Sequence, residues 1–283
     1  MADRLSEFAK AKINLALHVL GRRADGFHEL DSIVGFAEIG DRLTLQRADT
    51  LSLVRTGPFS ADVPMGEDNI IVKTWRVVAQ ILKTRQVVLP SVKVVLEKNL
   101  PVASGMGGGS ADAAAMVRGL LRLTQQKLSC GEIKSLAQSL GADVPVCMSQ
   151  TACLMQGIGE KITPLNIALP RAIVLINPLL ECSTPDVFGA LGLAKGQSFK
   201  SPIFQNQPQS WRNDLTEAAL KIQPSIKDVL SALEKEPAFL GIRMSGSGAT
   251  CFGLMVSEAQ ASAAAARLAV KNPGWWVRSA ALS

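Results

Sequence analysis

The stretch KNLPVASGMGGGSADAAA, residues 98–115, places Gly105 and Gly107 to Gly109 between two patterned segments. Before it, Val92, Val94 and Leu96 alternate with other residues, the period-two signature of a strand. After it, ADAAAMVRGLLRL is rich in strong helix formers, so a helix is expected to begin near Ser110 or Ala111. A strand, a glycine turn and a helix start together aim several backbone N–H groups at one point. The helix dipole adds positive potential there, and the result suits an anion such as a phosphate. Glycines serve such a turn because they admit positive φ and close approach of a ligand to backbone. A flexible linker, the competing reading, needs no flanking strand or helix. The tract is not a Walker A loop, because no Gly-Lys-Ser/Thr follows. It also fails the dinucleotide fingerprint, because Ser110 stands where glycine or alanine is required.

Outward from the tract, Ile13, Leu15, Leu17 and Val19 alternate with Asn14, Ala16 and His18, which predicts a strand with Lys12 and Asn14 on one face. GRRADGFHEL reads as a loop. SIVGFAEI, LTLQ and LSLV read as further strands joined by turns such as Gly40-Asp41. Asp68-Asn69 caps a helix whose Ile71, Trp75, Val78 and Leu82 share one face. Ser129-x-x-Glu132 is a capping-box pattern, and Gly141 is placed to end the helix it starts. ACLMQGI and AIVLINPL read as strands, Thr184-Pro185 as a helix start, and residues 214–236 as helix interrupted at Pro224. IRMSGSGATCFGLMV reads as strand, glycine loop, strand. Ser257-x-x-Gln260 caps a last helix, and WWVRSAAL is a last strand. Consecutive strands without intervening helices argue against a regular parallel βαβ array and for an α+β, two-layer architecture, with a boundary near residue 155.

Composition narrows the function classes. A chain of 283 residues with 47% hydrophobic and 19% charged residues is globular in type. It has no apolar run of the ~20 residues that a membrane-spanning helix needs. MADRLSEFAK lacks the apolar centre of a secretory signal. Five scattered cysteines without a C-x-x-C pair point to reduced thiols and a cytoplasmic setting, and two histidines cannot build a histidine cage for a metal. The net charge of +6 suits an anionic partner. No recognisable RNA- or DNA-binding motif accompanies it, so a small polyphosphate competes with a nucleic acid on charge alone.

PVASGMGGGSADAAA resembles the P-x-x-x-G-x-G-S-S-A loop of the GHMP small-molecule kinases. AKINLALHVLGRRADGFHEL, GADVPV and SGSGATCF agree with a branch of that family whose acceptor is a cytidylyl sugar alcohol, and together these motifs run from Ala11 to Phe252. The resemblance implies a two-domain GHMP kinase fold of the α+β class. Its N-terminal domain would be of the ribosomal-protein-S5-like domain 2 type and its C-terminal domain a ferredoxin-like α/β unit. Residues 1–155 would bind ATP and carry catalysis, and residues 156–283 would serve the substrate. The implied reaction moves a phosphoryl group from ATP, with Mg2+, to a hydroxyl of a cytidylyl substrate in isoprenoid-precursor synthesis, without nucleic acid or membrane.

Residue by residue, the resemblance assigns Asp143 as the base for the acceptor hydroxyl and Lys12 as its cationic partner. It assigns Pro101, Val102, Ala103, Ser104, Gly105, Met106, Gly107, Gly108, Gly109, Ser110 and Ala111 to ATP, with Asn69 and Lys98 on the adenine side. Asn14 and Thr184 fall beside the acceptor, and His28 reads the cytosine edge between the faces of Phe27 and Phe188. Gly246, Ser247 and Gly248 form a further substrate-side loop that closes over the phosphates. No metal ligand is assigned. Position 27 departs from the family, which commonly has tyrosine there; this chain contains no tyrosine. Taken singly, Asp143 also reads as a turn cap, Lys12 as a solvated strand-edge charge, Asn69 as a helix cap, Lys98 as a strand-end charge and Phe188 as core. Three rivals remain on sequence: a GHMP kinase for homoserine or mevalonate, a nucleotide sensor without turnover, and a basic nucleic-acid module.

Overall fold

The computed structural model describes residues 4–165, 167–200 and 207–283. Two long strands open the chain, β1 (Arg4–Arg22) and β2 (His28–Arg47), followed by β3 (Ser52–Thr56), helix α1 (Ile70–Lys83) and β4 (Val92–Glu97). The helices α2 (Gly108–Thr124), α3 (Cys130–Leu140) and α4 (Val144–Ser149) come next, then β5 (Cys153–Gly157), β6 (Lys161–Pro164) and β7 (Ala172–Asn177). The remainder comprises α5 (Thr184–Ala190), α6 (Thr216–Ile222), α7 (Ile226–Glu234), β8 (Gly241–Met244), β9 (Cys251–Met255), α8 (Glu258–Lys271) and β10 (Trp276–Ala281).

The chain folds as two interleaved units. The first takes residues up to Ala11, Gly40–Val102 and Gly107–Gln150; the second takes Lys12–Ile39, Ala103–Met106 and Thr151–Ser283. Gln150 is the last residue of the first unit. The strand segment Lys12–Ile39 and the four residues Ala103–Met106 belong with the later part of the chain.

In the first unit, β4 pairs antiparallel with the end of β2, from Arg42 opposite Glu97 to Arg47 opposite Val92, and parallel with β3. The helix α2 buries Ala111, Ala113 to Ala115, Met116, Val117 and Leu120. Small side chains let it lie close, and Gly119 is the nearest approach: a Cβ there would come within 2.8 Å of Leu45. The caps read from sequence form as expected. The Asn69 side chain accepts from the Ile71 N–H at 2.7 Å, and Ser129 and Glu132 close a reciprocal capping box. The helix α4 follows from Pro145 in its first turn.

In the second unit, Leu30–Val34 of β2 pairs antiparallel with β5, and β5 with β6. A separate four-stranded antiparallel sheet runs β10-β7-β9-β8. Its β7, AIVLIN, is buried along its whole length, which explains why it shows no polar alternation. The expected helix over residues 214–236 breaks into α6 and α7 around Pro224, whose ring cannot continue a helix.

Two local readings need correction. Gly40-Asp41 is not a turn, because β2 runs through it unbroken. Gly40 is needed because the chain passes over β1: a Cβ there would lie 2.0 Å from the Ala9 carbonyl oxygen. The N-cap of α5 is Ser183, whose hydroxyl accepts from Asp186 N–H, so Thr184 is already helical.

Gly40→Ala is therefore expected to destabilise the protein by about 3 kcal/mol, since the clash is with backbone that has no side-chain route to relax. Gly131→Ala, at the open start of α3, should be neutral or slightly stabilising. Urea unfolding midpoints check both, and equal midpoints for the two variants would reject the crossing constraint.

Candidate active site

In the first unit, α2 starts at Gly108, two residues before the expected start, because Gly107 adopts the left-handed conformation at φ +63° and serves as its N-cap. Gly107 contributes its carbonyl to Ala111 N–H at 2.8 Å but offers no side chain to the first amides. The N–H groups of the opening turn thus lack a capping side chain, which is the arrangement an anion completes. Nothing lies within 4 Å of a Cβ built on Gly109, so the turn is open there. GADVPV comes beside this turn: a Cβ on Gly141 would be 3.7 Å from Ser110 Oγ. Asp143 occupies the N-cap position of α4, half-buried, yet makes no capping bond to that helix.

The two adenine-side residues are committed to the fold. Asn69 caps α1 with its oxygen and donates its amide to Pro64 O at 2.7 Å. Lys98 is 3% exposed, and its Nζ lies 2.6 Å from Asp41 Oδ2 and 2.7 Å from Asp112 Oδ2. Burial alone would lower the ammonium, but Asp112 and Asp41 overcome that and hold it above its ordinary value. A strand-end charge offered to solvent is not what the structure contains.

The second unit gathers Lys12, Asn14, Ala103 to Met106 and Gly246 to Gly248. Lys12 Nζ donates to Asn14 Oδ1 at 2.9 Å; Asn14 Nδ2 donates to Ser32 Oγ at 2.8 Å, and Ser32 Oγ donates to Ala16 O at 2.6 Å. All three side chains are buried, so the strand is covered on both faces, and the solvated-edge reading of Lys12 fails. Asn14 N–H donates to Ser245 Oγ at 3.2 Å, and that hydroxyl donates to Gly105 O at 2.9 Å. Lys12 N–H donates to Met106 O at 2.9 Å and Thr250 N–H to Ser104 O at 3.2 Å. Gly105, at φ +76°, is the residue that permits this stitching: a Cβ would fall 2.5 Å from Ser245 O and 2.7 Å from Gly248 O. Thr184 Oγ1 and Ser247 Oγ share a hydrogen bond of 2.7 Å. Pro101 and Val102 stay with the first unit, before the stitched segment.

His28 and Phe188 form a ring pair with centroids 4.8 Å apart and planes tilted by 33°. His28 Nε2 is buried without a hydrogen-bond partner among the described residues. Burial, reinforced by Arg22, lowers the imidazole below its ordinary pKa, so it is neutral at neutral pH and can offer a donor or an acceptor. Phe27 precedes it with 60% of its surface exposed, a face without an occupant from this chain. A polar atom with no internal partner beside aromatic faces suits a planar ligand with hydrogen-bonding edges.

Supporting residues that the sequence reading left unassigned complete the picture. Asn213 donates to Met244 O and Gly246 O, both at 2.8 Å, and so holds the Gly246 loop. Asp41, Asp112, Ser32 and Ser245 also carried no assignment, although Asp112 and Ser245 lie inside the PVASGMGGGSADAAA and SGSGATCF motifs. The available signal was a lone acid in an alanine run, since a charge on a buried helix face requires a partner. A hollow of about 830 Å³ in the second unit, with Trp211, Arg243 and Asp214 in its wall, touches His18 to Leu20 of the first motif but none of the residues assigned to the site. Among the described residues no group of three His, Cys, Asp or Glu side chains could hold a metal, and no helix is long and apolar enough to cross a membrane.

Known proteins resemble this chain over nearly its whole length. The family model for the GHMP kinases N terminal domain matches residues 69–157, and that for GHMP kinases C terminal matches residues 194–273. The chain is 43% identical to a 4-diphosphocytidyl-2-C-methyl-D-erythritol kinase of Rhodopseudomonas palustris (strain BisB5), covering 99% of both chains. It is 44% identical to the protein of that name from Paramagnetospirillum magneticum, covering 97% of both. A crystal structure of 4-(cytidine 5'-diphospho)-2C-methyl-D-erythritol kinase superposes with a TM-score of 0.79 at 28% identity over 99% of both chains. Homoserine kinase from Cytophaga hutchinsonii shares the fold, with a TM-score of 0.66 at 19% identity over 99% of this chain and 95% of the other.

Asp214, next to Asn213, gives the second unit an acid-sensitive anchor. Its carboxylate accepts from Val19 N–H at 3.0 Å and Arg212 Nε at 2.7 Å and lies 3.5 Å from His18 Nδ1. Burial would raise it, but His18, Arg212 and the Val19 amide prevail and hold it at about 2. A depressed carboxylate stabilises the fold above its unfolded pKa, and that contribution is lost as pH falls through the folded value. Asp214→Asn should cost about 2 kcal/mol at neutral pH, and the gap from the parent protein should close as pH falls from about 5 to about 2. Unfolding at a series of pH values checks this; a gap of constant size would reject the ionic anchor.

Proposed function

The chain belongs to the 4-diphosphocytidyl-2-C-methyl-D-erythritol kinase family of the GHMP kinases, and we propose that it transfers the γ-phosphoryl group of ATP to the 2-hydroxyl of 4-diphosphocytidyl-2-C-methyl-D-erythritol. The product would be the 2-phosphate, an intermediate of isoprenoid-precursor synthesis, with ADP released. The observation that carries the acceptor is the His28–Phe188 ring pair with its unpartnered Nε2. Homoserine and mevalonate present no aromatic base to such a pair.

The nucleotide phosphates are assigned to the open first turn of α2 and the glycines leading into it, whose amides and helix dipole attract them. Asp143 is assigned the proton of the acceptor hydroxyl. As that proton leaves, the hydroxyl oxygen forms a bond to the γ-phosphorus and the bond to the bridging oxygen of ADP breaks. Lys12, aligned by Asn14, is assigned the charge that develops on the transferring group. Asn14 and Thr184 orient the acceptor, and Phe27 supplies a face without the hydroxyl that a tyrosine would add. Mg2+ would arrive bound to ATP and neutralise phosphate charge. Five free cysteines, four of them buried, suit a reducing compartment, and we place the enzyme in the cytoplasm.

A coupled assay of ADP release should show turnover with the cytidylyl methylerythritol substrate and none with homoserine or mevalonate; the reverse order would overturn the acceptor. Asp143→Asn should lower kcat by about 100-fold or more while leaving ATP affinity within about twofold. Turnover near that of the parent would remove the base assignment. Phe188→Ala should raise KM for the cytidylyl substrate by about tenfold, with little change for ATP. Equal effects on both substrates would reject stacking.

A further inference from the structure

Beneath the first turn of α2 lies a buried cluster that the reaction as described does not use. Asp41 comes from β2, Lys98 follows β4, and Asp112 is on α2 itself. All three are nine-tenths buried or more. Lys98 Nζ bridges Asp41 Oδ2 and Asp112 Oδ2, while Asp41 Oδ1 accepts Asn99 N–H at 2.6 Å and Leu100 N–H at 2.9 Å. The fourth carboxyl oxygen, Asp112 Oδ1, is buried with no partner among the described residues.

The charges do not balance. One ammonium faces two carboxyl groups, so full ionisation leaves a net negative charge in a region with little water. A proton on Asp112 makes the cluster neutral. Burial raises the Asp112 carboxyl; Lys98 opposes the shift, Asp41 adds to it, and the outcome is upward. Among the described residues no second cation pairs with either carboxyl group, and Arg47 of β2 donates to Leu123 O at the far end of α2. The α1 cations Lys73 and Arg76 pair outward with Asp68 and Glu67. The helix α4 has no acid or base beyond the buried Cys147 thiol. Further along α2, Arg118 and Arg122 are taken by Glu7.

The cluster also touches the anion site. A Cβ on Gly108, the first residue of α2, would lie 3.2 Å from Lys98 Nζ and 3.8 Å from Asp41 Oδ2. A polyphosphate at the amides of this turn would therefore be repelled by the doubly ionised cluster and tolerated by the neutral one. We propose that Asp41, Lys98 and Asp112 are positioning residues for the nucleotide, and that Asp112 takes up a proton from solvent when a nucleotide polyphosphate binds at the start of α2. This rests on the kinase reading above.

The test is titration calorimetry of ADP into the full chain, in buffers of unequal ionisation enthalpy, from about pH 6 to about pH 10. Proton uptake by the wild type is expected, with ADP affinity falling about tenfold across the range. Asp112→Asn, neutral at every pH, should show no uptake and a flat profile. Asp41→Asn keeps the oxygen that caps Asn99 and Leu100 but removes a charge, and it should also suppress uptake, by a second route. A merely structural role would weaken ADP at all pH values alike. Binding without uptake by the wild type, or equal uptake in a folded variant, overturns the inference and leaves the kinase reading intact. A wild type that binds no ADP overturns both.

Discussion

A carboxylate that must be fully satisfied inside the protein organises the first unit. Asp41 has no solvent exposure, and its two oxygens receive the Asn99 and Leu100 amides and the Lys98 ammonium. An ionised carboxylate at such depth is tolerated only with its lone pairs filled. The turn after β4 is thus bound to β2 at one point, and Lys98 carries the connection on to α2. The glycine tract begins directly after this anchor. Its open amides are useful only if the helix presenting them is fixed, because displacement of a phosphate site by an ångström forfeits much of the advantage of orientation.

The tract itself is divided between tasks. Ala103 to Met106 is sewn to the Ser245–Thr250 loop through Ser245 Oγ and the Thr250 amide, which requires Gly105 to have no side chain. Gly107 turns the chain left-handed, and the residues after it open the helix. A flexible linker makes none of these bonds. The glycines therefore serve three different constraints: close packing, backbone handedness and ligand access.

Local chemistry legible in the sequence survived wherever tertiary contacts agreed with it. The alternation in β4, the Asn69 cap, the Ser129–Glu132 box and the break at Pro224 all depend on neighbours within a few residues. Gly40-Asp41 was misread for the converse reason. The pair has turn chemistry, yet pairing of Arg42–Arg47 with β4 and the crossing at Ala9 hold it extended. Lys98 looked like a terminal charge because its partners lie 57 and 14 residues away in sequence. Lys12, taken singly, reads as a solvated strand-edge charge, although it is buried, as are Asn14 and His18 on the same strand. Periodicity reports the polarity of a face, not whether buried partners wait beneath it.

Under the proposed assignment, specificity for a base would follow from the same logic of unmet polar groups. A buried His28 Nε2 without an internal partner penalises any ligand that cannot complete it, whereas aromatic faces alone accept many apolar groups. Keeping the imidazole neutral matters here, because a cation would lose one of its two hydrogen-bonding modes and suffer desolvation beside Arg22. Because Phe27 offers no hydroxyl, that assignment would place still more of the discrimination on His28. Phe27 supplies surface, 60% of it exposed, but no edge contact of its own. On the proposed assignment, discrimination at this end of the site would depend on one nitrogen and the tilt of the Phe188 ring, which would limit where a base can lie.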